Sequence, residues 1–349
     1  MPKNPIAVGT ALAALAALAF GVTTPFIQRF GTGLGPFATA SLLYLGAALG
    51  ASIWPGHKTR SLEAAVRLRH LPRLLVIALF GAALAPALFA WGLQRVPATY
   101  GSLLLNAEAI FTVGLAALIH REHIGSRVTL AALLMFAGGV VTVTGAASNG
   151  SFGLIGALAI VAAVLCWALD NVLTRPFADL DPAAVVRVKA LSGVALTAAV
   201  ALSFRERPPH LPQLLGLLVC GATGYGLSLR LYLLAQRRIG AGRTGSVFAV
   251  APFVGALVAV LLGDKSFGFL TLLAALLFMA GLALHLTEKH RHVHFHDKLT
   301  HDHSHVHDDG HHGHHHESML TGPHAHPHEH EAQAHEHPHG PDVHHEHRH

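Results

Sequence analysis

Charged residues are scarce in this chain of 349 residues. They make up 12% of the sequence, whereas about a quarter of a soluble domain is charged. The two cysteines, Cys166 and Cys220, fall inside apolar segments, which argues against a disulfide framework. No ATP-binding motif is present, because the glycines at 31, 33 and 35 lack the rest of a nucleotide-binding fingerprint. We therefore expect neither a soluble domain nor an ATP-driven machine, and no catalytic constellation suggests an enzyme.

Apolar segments fill most of the chain. Mean hydropathy is +0.47 although a very polar tail is included. The segments approach the roughly 20 residues that a helix needs to cross a bilayer. We predict membrane-spanning helices at 6–27, 36–54, 72–94, 100–119, 128–145, 153–174, 183–203, 212–235, 244–262 and 269–286.

Basic residues between these segments indicate their orientation. Loops on the side of the N-terminus carry Lys58, Arg60, Arg67, Arg69, Arg73, Arg121, Arg127, Arg175, Arg237, Arg238 and Arg243. The opposite loops carry Arg29, Arg95, Arg205, Arg207 and Lys265. The excess of positive charge predicts that both termini face the cytoplasm. Because these residues form no basic face with aromatic platforms, we expect no nucleic-acid partner.

The predicted spans fall into two similar sets of five. The stretch 91–102 (WGLQRVPATYGS) resembles 234–246 (LAQRRIGAGRTGS), and both precede an apolar helix that ends in a charged turn. We assign the repeats to 6–145 and 151–286. An odd number of spans per repeat makes the second copy run in the opposite direction. Inverted repeats are common in transporters, whose substrate site lies near the midplane between the halves.

Three prolines, Pro25, Pro86 and Pro252, fall inside predicted spans. Proline removes a backbone donor and kinks or breaks a helix. Membranes tolerate such breaks where protein or a water-filled cavity satisfies the freed carbonyl. We predict helix breaks at these positions, although packing alone also explains a kink.

Two segments carry a resemblance to a known family. The segment 102–123 (SLLLNAEAIFTVGLAALIHREH) is an apolar helix that ends in the turn Arg121-Glu122. It closely resembles the EamA repeat of the drug/metabolite transporter superfamily, and 248–264 (FAVAPFVGALVAVLLGD) looks like the second copy. The resemblance covers roughly residues 6–286. It implies ten helices in two inverted halves that export a small solute by alternating access.

Two further features refine the resemblance. The stretch 166–175 (CWALDNVLTR) followed by Lys189 is similar to a bacterial subset of the family with histidine-rich C-termini, which implies the bacterial inner membrane. Glu108 departs from the family pattern, because many members carry proline there, as Pro252 does in the second half. Substrate-binding residues of other branches therefore do not transfer to this chain.

Glu108 is the sharpest candidate for transport chemistry. It lies near the middle of the fourth span, with Asn106 beside it, and a charge at that depth costs several kcal/mol. Such a carboxyl must face the interior, be paired or hold a proton. Arg230 in the eighth span also needs a partner, and we consider Glu108 for that role. The alternative is a neutral Glu108 that only joins neighbouring helices.

Asp170, Asn171, Arg175 and Lys189 form a second candidate group. A short loop separates the sixth and seventh spans, so an Asp170–Lys189 pair is geometrically allowed. The pair is either a gate whose charges separate during transport or a static link between two helices.

The last 63 residues, 287–349, carry 24 of the 30 histidines. Few apolar residues remain there, so we expect disorder. Imidazole favours Zn, Ni, Co and Cu. We predict metal ligands among His290, His292, His294, His296, His301, His303, His305, His307, His311, His312, His314, His315 and His316. Incidental metal binding and a response to pH are the alternatives.

The sequence thus predicts an all-α integral membrane protein of about ten transmembrane helices in two inverted five-helix repeats, with a disordered histidine-rich tail. We expect lipid and a small solute as partners, divalent metal at the tail, and no required cofactor. A homodimer is also allowed. The favoured function is a secondary transporter that exports a small metabolite or drug-like solute. The alternatives are a divalent metal exporter and a membrane-anchored metal store or sensor.

Overall fold

The computed structural model describes residues 5–53, 66, 68–120, 125–148, 150–174, 177, 182–286, 293–296, 299–305, 324–330 and 333–336. The first half contains the helices α1 (Pro5–Gly31), α2 (Pro36–Ile53), α3 (Leu71–Ala78), α4 (Ala85–Leu93), α5 (Ala98–Leu104), α6 (Ala107–His120) and α7 (Ser126–Ala147). The second half contains α8 (Ser151–Thr174), α9 (Pro182–Ser203), α10 (Leu211–Cys220), α11 (Ser228–Phe248), α12 (Ala251–Leu261) and α13 (Phe269–Leu286). A 3-10 turn at Leu68–His70 precedes α3.

Two π-helical turns interrupt the long helices. The first π-turn, Leu79–Leu84, joins α3 to α4, and the second π-turn, Gly221–Leu227, joins α10 to α11. They occupy the third span of each half. Since π-turns are rare and often mark functional sites, their repetition supports two related halves.

The helix bounds agree with the predicted spans within a few residues. Seven helical stretches in the described chain are long and apolar enough to cross a membrane: Ile6–Gly31, Leu68–Leu93, Ser126–Ala147, Gly153–Thr174, Ala184–Ser203, Leu211–Gln236 and Arg243–Leu261. Two shorter apolar helices lie at Pro36–Ser52 and Phe269–His285. The predicted fourth span is divided into α5 and α6. The loops 54–65, 121–124 and 175–176, which hold several of the orienting charges, lie outside the described residues.

The helices of one half pack on those of the other in an exchanged pattern. Helix α2 packs against the second π-turn, and α9 packs against the first π-turn. Likewise α1 lies along α11, whereas α8 lies along α4 and α6. Helices α5 and α12 pack together, as do α7 and α13. Each contact of the first half therefore has a counterpart in the second half, as two related repeats require.

Helix α11 folds back on itself. The rings of Tyr232 and Phe248 lie 5.1 Å apart. A straight helix would separate residues sixteen positions apart by about 24 Å. The chain therefore reverses between them, where the sequence predicts the turn between the eighth and ninth spans.

Glycine allows the backbones of the two halves to touch. A Cβ atom on Gly21 of α1 would collide with the carbonyl oxygen of Ala251, and one on Gly221 would collide with the backbone of Leu43. Small residues at helix crossings permit the close van der Waals packing that holds helices together in lipid. These two glycines fix α1 against α12 and α2 against the second π-turn.

The predicted breaks at proline differ from one another. Helix α1 continues through Pro25, so the predicted break there is not seen. Loss of one hydrogen bond does not end this helix, which packs closely against α11 and α12. Pro86 follows the first π-turn, and Pro252 begins α12 after a turn at 249–250. At these two positions the helix is interrupted as predicted.

The side of the molecule where α1 begins and α13 ends is called the tail side here. On the opposite side, two glutamines connect neighbouring hairpins. Gln28 donates a hydrogen bond to the Val96 carbonyl (2.7 Å), and Gln94 donates to the carbonyls of Gly31 and Leu34 (3.0 Å each). Each glutamine donates to carbonyls in the turn that follows the other glutamine, so the hydrogen bonds link the two turns.

Two carboxylates add to this closure by accepting hydrogen bonds from helix N-termini in the other half. Glu206 accepts from the Ala38 amide of α2 (2.7 Å). Asp264 accepts from the Thr99 amide and hydroxyl of α5 (3.0 Å each). Carboxylates at helix N-termini satisfy free amides and interact favourably with the helix dipole. The side opposite the tail is therefore closed by contacts between the halves.

Asp264 makes the stability of this closure depend on pH. Burial opposes its ionisation, but hydrogen bonds from Thr99 and Ser266 outweigh burial and lower its pKa. A lowered pKa in the folded state contributes stability that is present above the unfolded pKa, about 4, and is lost as pH falls through the folded pKa. We expect Asp264→Asn to cost about 1 kcal/mol at neutral pH, the value of a lost helix cap. Thermal unfolding in detergent across acidic and neutral pH measures this.

The matched control is Lys265→Gln, because Lys265 is exposed in the same turn. The two unfolding curves of Asp264→Asn and the parent should converge at the lowest pH. A constant difference at every pH would show that the Asp264 carboxylate charge contributes nothing.

The tail contains four short strands where the sequence predicts disorder: β1 (Val293–His296), β2 (Leu299–His305), β3 (His324–His330) and β4 (Gln333–Glu336). They form two antiparallel pairs, β1 with β4 and β2 with β3. The prediction of a disordered tail is not confirmed for these segments. Histidine alternates with other residues there, and a period of two matches a strand.

Candidate functional site

The fourth span of each half is discontinuous near its middle. Helix α5 ends at Leu104 and α6 begins at Ala107, with Asn106 in the turn between them. The Asn106 side chain donates to the Leu103 carbonyl (3.0 Å), which occupies a carbonyl at the end of α5. In the second half, Pro252 starts α12 after an equivalent turn. Discontinuous helices whose ends meet at the midplane are typical of binding sites in secondary transporters.

Glu108 lies in the first turn of α6, directly after this break. The N-terminus of a helix carries partial positive charge, so it stabilises a carboxylate. Asn171 of α8 donates a hydrogen bond of 2.7 Å to Glu108 Oε1. These two interactions explain how a carboxyl group is accommodated at a depth where an isolated charge is costly.

Asn171 lies one turn before the tail-side end of α8. It continues a stripe of buried α8 residues that includes Ile160, Val164 and Trp167, at helical spacing. Asn171 itself is exposed, and Glu108 is half-buried. The Glu108–Asn171 hydrogen bond therefore lies on the inward-facing stripe of α8, at its exposed end.

Asp170 and Lys189 form a salt bridge between α8 and α9, the pair that the sequence allowed. Asp170 is 2% exposed, and Thr174 lies near its other oxygen at 3.4 Å. Because the pair is buried, neither charge can be removed alone without leaving the other uncompensated.

The first π-turn exposes one carbonyl for side-chain contacts. The Ala85 amide bonds to the Phe80 carbonyl five residues back. Continuing this register, the partner of the Gly81 carbonyl would be residue 86, which is proline and has no amide hydrogen. The carbonyl that lacks a main-chain donor because of Pro86 is therefore that of Gly81.

Two aromatic side chains satisfy the Gly81 carbonyl. The Tyr44 hydroxyl donates to it at 2.6 Å, and the Trp167 indole nitrogen donates at 3.0 Å. The Asp170 carboxylate lies against the Gly81 Cα, where a Cβ atom would collide with it. The first π-turn therefore positions Asp170 and two aromatic rings from α2 and α8.

Glu108 and Arg230, which the sequence suggests as a pair, lie on α6 and α11. Of these two described side chains, Glu108 bonds to Asn171. Arg230 and Tyr232 are two positions apart on α11, so their side chains point about 200° away from each other around the helix axis. The Glu108–Arg230 pair therefore stays a prediction.

A chain of aromatic rings lies beside Glu108. Tyr44 contacts Tyr225 (centroids 5.6 Å apart), Tyr225 contacts Phe20 (5.8 Å), and Phe20 contacts Phe248 (5.7 Å). Tyr232 extends the chain through Phe248. The rings of Phe20, Tyr225, Tyr232 and Phe248 are only half-buried. These separations are typical of favourable ring packing.

Tyr44 and Trp167 both donate to the Gly81 carbonyl. Trp167 lies one turn before Asn171, the partner of Glu108, which places one end of the ring chain near the carboxylate. The Tyr225 hydroxyl is buried and makes no hydrogen bond within the described chain. A buried hydroxyl without a partner is costly, so this oxygen is a natural contact for a bound molecule or water.

In the described helices no three His, Cys, Asp or Glu side chains converge on a common point. Of the predicted metal ligands, His294, His296, His301, His303 and His305 lie on strands. The others lie outside the described residues: His290, His292, His307, His311, His312, His314, His315 and His316.

The repeated arrangement agrees with a comparison of the sequence with protein families. EamA-like transporters match residues 7–144 and 154–287, one repeat in each half. The chain belongs to the EamA-like transporter family. This EamA protein is therefore a multi-pass membrane protein, as the sequence resemblance predicts.

A curated protein and a solved structure are among the proteins that resemble this EamA protein. An uncharacterized transporter of Methanothermobacter thermautotrophicus is 29% identical over 231 residues, which are 63% of this chain and 65% of that protein. A protein of known crystal structure shares the fold with a TM-score of 0.59 at 20% identity, over 79% of this chain and 95% of the other.

The ring chain of this EamA protein, and the Gly81 carbonyl that accepts from two side chains, could not be found from the sequence. Aromatic residues in apolar spans cannot be distinguished from packing residues by spacing alone. The π-turn had one signal, Pro86 within a helix, but proline does not reveal which carbonyl is left free.

Proposed function

We propose that this protein is a secondary transporter that exports a small solute from the bacterial cytoplasm by alternating access. In this proposal ten spans form two inverted halves, 6–145 and 151–286, in the inner membrane, and the tail side faces the cytoplasm. The difference between the two sides of the molecule supports it. Hydrogen bonds close the side opposite the tail, whereas Asn171 is exposed near the tail-side end of α8. An exporter that is about to bind its solute from the cytoplasm is closed on the outer side and open on the cytoplasmic side.

Glu108 and its surroundings would be the transport site. They lie at a helix break near the midplane, between helices of both halves. A carboxyl that binds a proton in one step and a solute in another couples export to an ion gradient. The absence of an ATP-binding motif leaves such a gradient, or exchange of solutes, as the energy source.

The Asp170–Lys189 salt bridge would act as part of the gate on the tail side. It joins α8 to α9 beside Asn171, and its position depends on the first π-turn through Gly81. Movement of α9 away from the first π-turn would separate the two charges. We therefore favour a gate over a static link between the two helices.

The tail would bind divalent metal and regulate transport. Pairing of β2 with β3 sets His301, His303 and His305 opposite His328, His326 and His324. Opposed positions in an antiparallel pair share one face of a sheet. Several imidazoles on one face suit Zn, Ni, Co or Cu.

A divalent metal exporter is the second candidate function. It needs several acidic or imidazole groups along the path, and in the described helices the acidic residues are Glu108 and Asp170. Lys189 already neutralises Asp170. This inventory favours an organic solute as cargo and metal as a regulator.

Counterflow in proteoliposomes tests these assignments. Full-length protein and a variant truncated after Leu286 are supplied with a panel of amino acids, drug-like organic solutes and divalent metals. We expect both to exchange at least one organic solute, and Zn²⁺ to change the rate only for the full-length chain. Metal flux that survives truncation would establish a metal exporter, and no flux of any solute would overturn the transport assignment.

A further inference from the structure

A crevice lies on the side opposite the tail, where the two halves of the molecule meet. Its volume is about 380 Å³, at the lower end of the range of about 300–1,000 Å³ in which small molecules bind. The first half contributes the end of α1 and the start of α5, and the second half contributes the end of α12 with the turn that follows it. A molecule in this crevice therefore contacts both halves.

Arg29, near the end of α1, brings a positive charge to the crevice. Its side chain is exposed and makes no salt bridge or hydrogen bond within the described chain. The planar guanidinium of arginine matches a carboxylate, to which it donates two parallel hydrogen bonds. This side of the crevice is therefore suited to a carboxylate.

Asp264 brings a negative charge to the same crevice. It accepts hydrogen bonds from the amide and hydroxyl of Thr99 (3.0 Å each) and from the Ser266 amide (2.9 Å). Because an ionised carboxylate has about four acceptor positions, one position remains. Gln28 also lines the crevice, and its amide nitrogen donates to two carbonyls, which leaves its side-chain oxygen as a second acceptor. These oxygens are suited to an ammonium group.

Opposite charges in one crevice discriminate between small molecules. Arg29 and Asp264 both line it, but they form no salt bridge with each other in the described chain. A simple anion is attracted by one residue and repelled by the other, and the same holds for a simple cation. A zwitterion satisfies both. Much of the remaining wall, including Pro25, Pro97 and Leu262, is apolar and suits a short hydrocarbon side chain.

We propose that this crevice binds small zwitterions with an apolar side chain from the side opposite the tail. Arg29 of the first half holds the carboxylate, and Asp264 of the second half holds the ammonium group. A ligand that joins the two halves stabilises their closed arrangement, because a ligand shifts an equilibrium toward the state that it binds better. In the proposed function, on which this step rests, such a ligand inhibits alternating access without entering the transport site.

Free L-leucine and two analogues that each lack one of its charges test the proposal. The anion 4-methylpentanoate lacks the ammonium group, and the cation 3-methylbutylammonium lacks the carboxylate. Full-length protein in nanodiscs is titrated with each probe, and the dissociation constant is obtained from the rise of the thermal-unfolding midpoint with probe concentration. We expect L-leucine to bind roughly fivefold more tightly than either analogue, because partly exposed ion pairs contribute modestly.

Variants test whether L-leucine binds in the crevice. Arg29→Gln should weaken L-leucine binding roughly fivefold, and Arg29→Lys should recover part of it, since lysine keeps the charge but loses the planar fork. Lys265→Gln is the matched control, because Lys265 is an exposed cation next to Asp264 that does not line the crevice. Glu108→Gln should bind L-leucine normally, because Glu108 belongs to the candidate transport site.

Exchange in proteoliposomes tests the inhibition. The organic solute identified by counterflow is used, and L-leucine is present on both sides of the membrane. We expect L-leucine to slow exchange, and a higher concentration of the exchanged solute should not restore the rate. Arg29→Gln should need roughly fivefold more L-leucine for the same inhibition.

The results separate the crevice from the transport function. Equal binding of L-leucine and its analogues, or full L-leucine binding by Arg29→Gln, would overturn the zwitterion site. Inhibition that excess solute relieves would also overturn it, because L-leucine would then compete at the transport site. Binding that does not slow exchange would overturn the inhibitory role. If no solute is exchanged at all, the proposed transport function fails, whereas the binding measurements still decide the site.

Discussion

Replacing Glu108 with glutamine is expected to lower solute exchange by roughly 100-fold or more, which corresponds to about 3 kcal/mol. Glutamine has the size of glutamate and can still accept the hydrogen bond from Asn171. The substitution removes the charge that would bind a proton or the solute. Initial rates of counterflow in proteoliposomes measure the effect.

The same substitution should leave folding intact. Removing a carboxyl group from the membrane interior relieves an unfavourable insertion energy, so thermal stability in detergent should stay equal or rise. Glu108→Asp is the paired variant, because it keeps the charge on a shorter side chain and should retain part of the activity. Normal exchange by Glu108→Gln would remove Glu108 from the transport mechanism.

Replacing Lys189 with methionine is expected to destabilise the protein by about 3–5 kcal/mol, because Asp170 would remain buried without its partner. Asp170 is 2% exposed, so water cannot replace the lost ammonium group. The double variant Asp170→Asn with Lys189→Met removes both charges and should recover most of the stability. Thermal unfolding followed by size-exclusion chromatography measures both variants.

Exchange by the double variant distinguishes a gate from a static link. A folded double variant that exchanges solute at least tenfold more slowly supports a gate, whereas normal exchange identifies a static link. Lys265→Met is the control for loss of an exposed lysine. If Lys189→Met alone is as stable as the parent protein, the salt bridge contributes nothing to the fold.

Much of the helical arrangement could be predicted, because a membrane-spanning segment must be long, apolar and internally hydrogen-bonded. The same reasoning allowed the Asp170–Lys189 pair, since both charges lie near one short connection. It could not give the partner of Glu108. Asn171 and Arg230 both lie on helices of the second half, and only the rotation of each helix about its axis decides which one faces Glu108.

Other features depended on contacts between distant parts of the chain. The break before α6 is marked in the sequence by Asn106, but asparagine also occurs within helices. Closure by Asp264 requires knowing that the turn after α12 meets the start of α5, although 165 positions separate Asp264 from Thr99. Hydrophobic periodicity and composition describe each segment separately, so they cannot predict contacts between segments that are distant in the sequence.

The two π-turns differ in a way that affects how the halves can move. A regular α-helix through Leu79–Leu84 would place the Pro86 ring against the Ala82 carbonyl and would break the hydrogen bonds from Tyr44 and Trp167, about 1 kcal/mol each. In the second half the Leu-Pro pair that begins α10 aligns Gly226 with Pro86, and glycine retains its amide hydrogen. The second π-turn can therefore rewind without an equivalent penalty, so we expect bending to be concentrated in α10–α11.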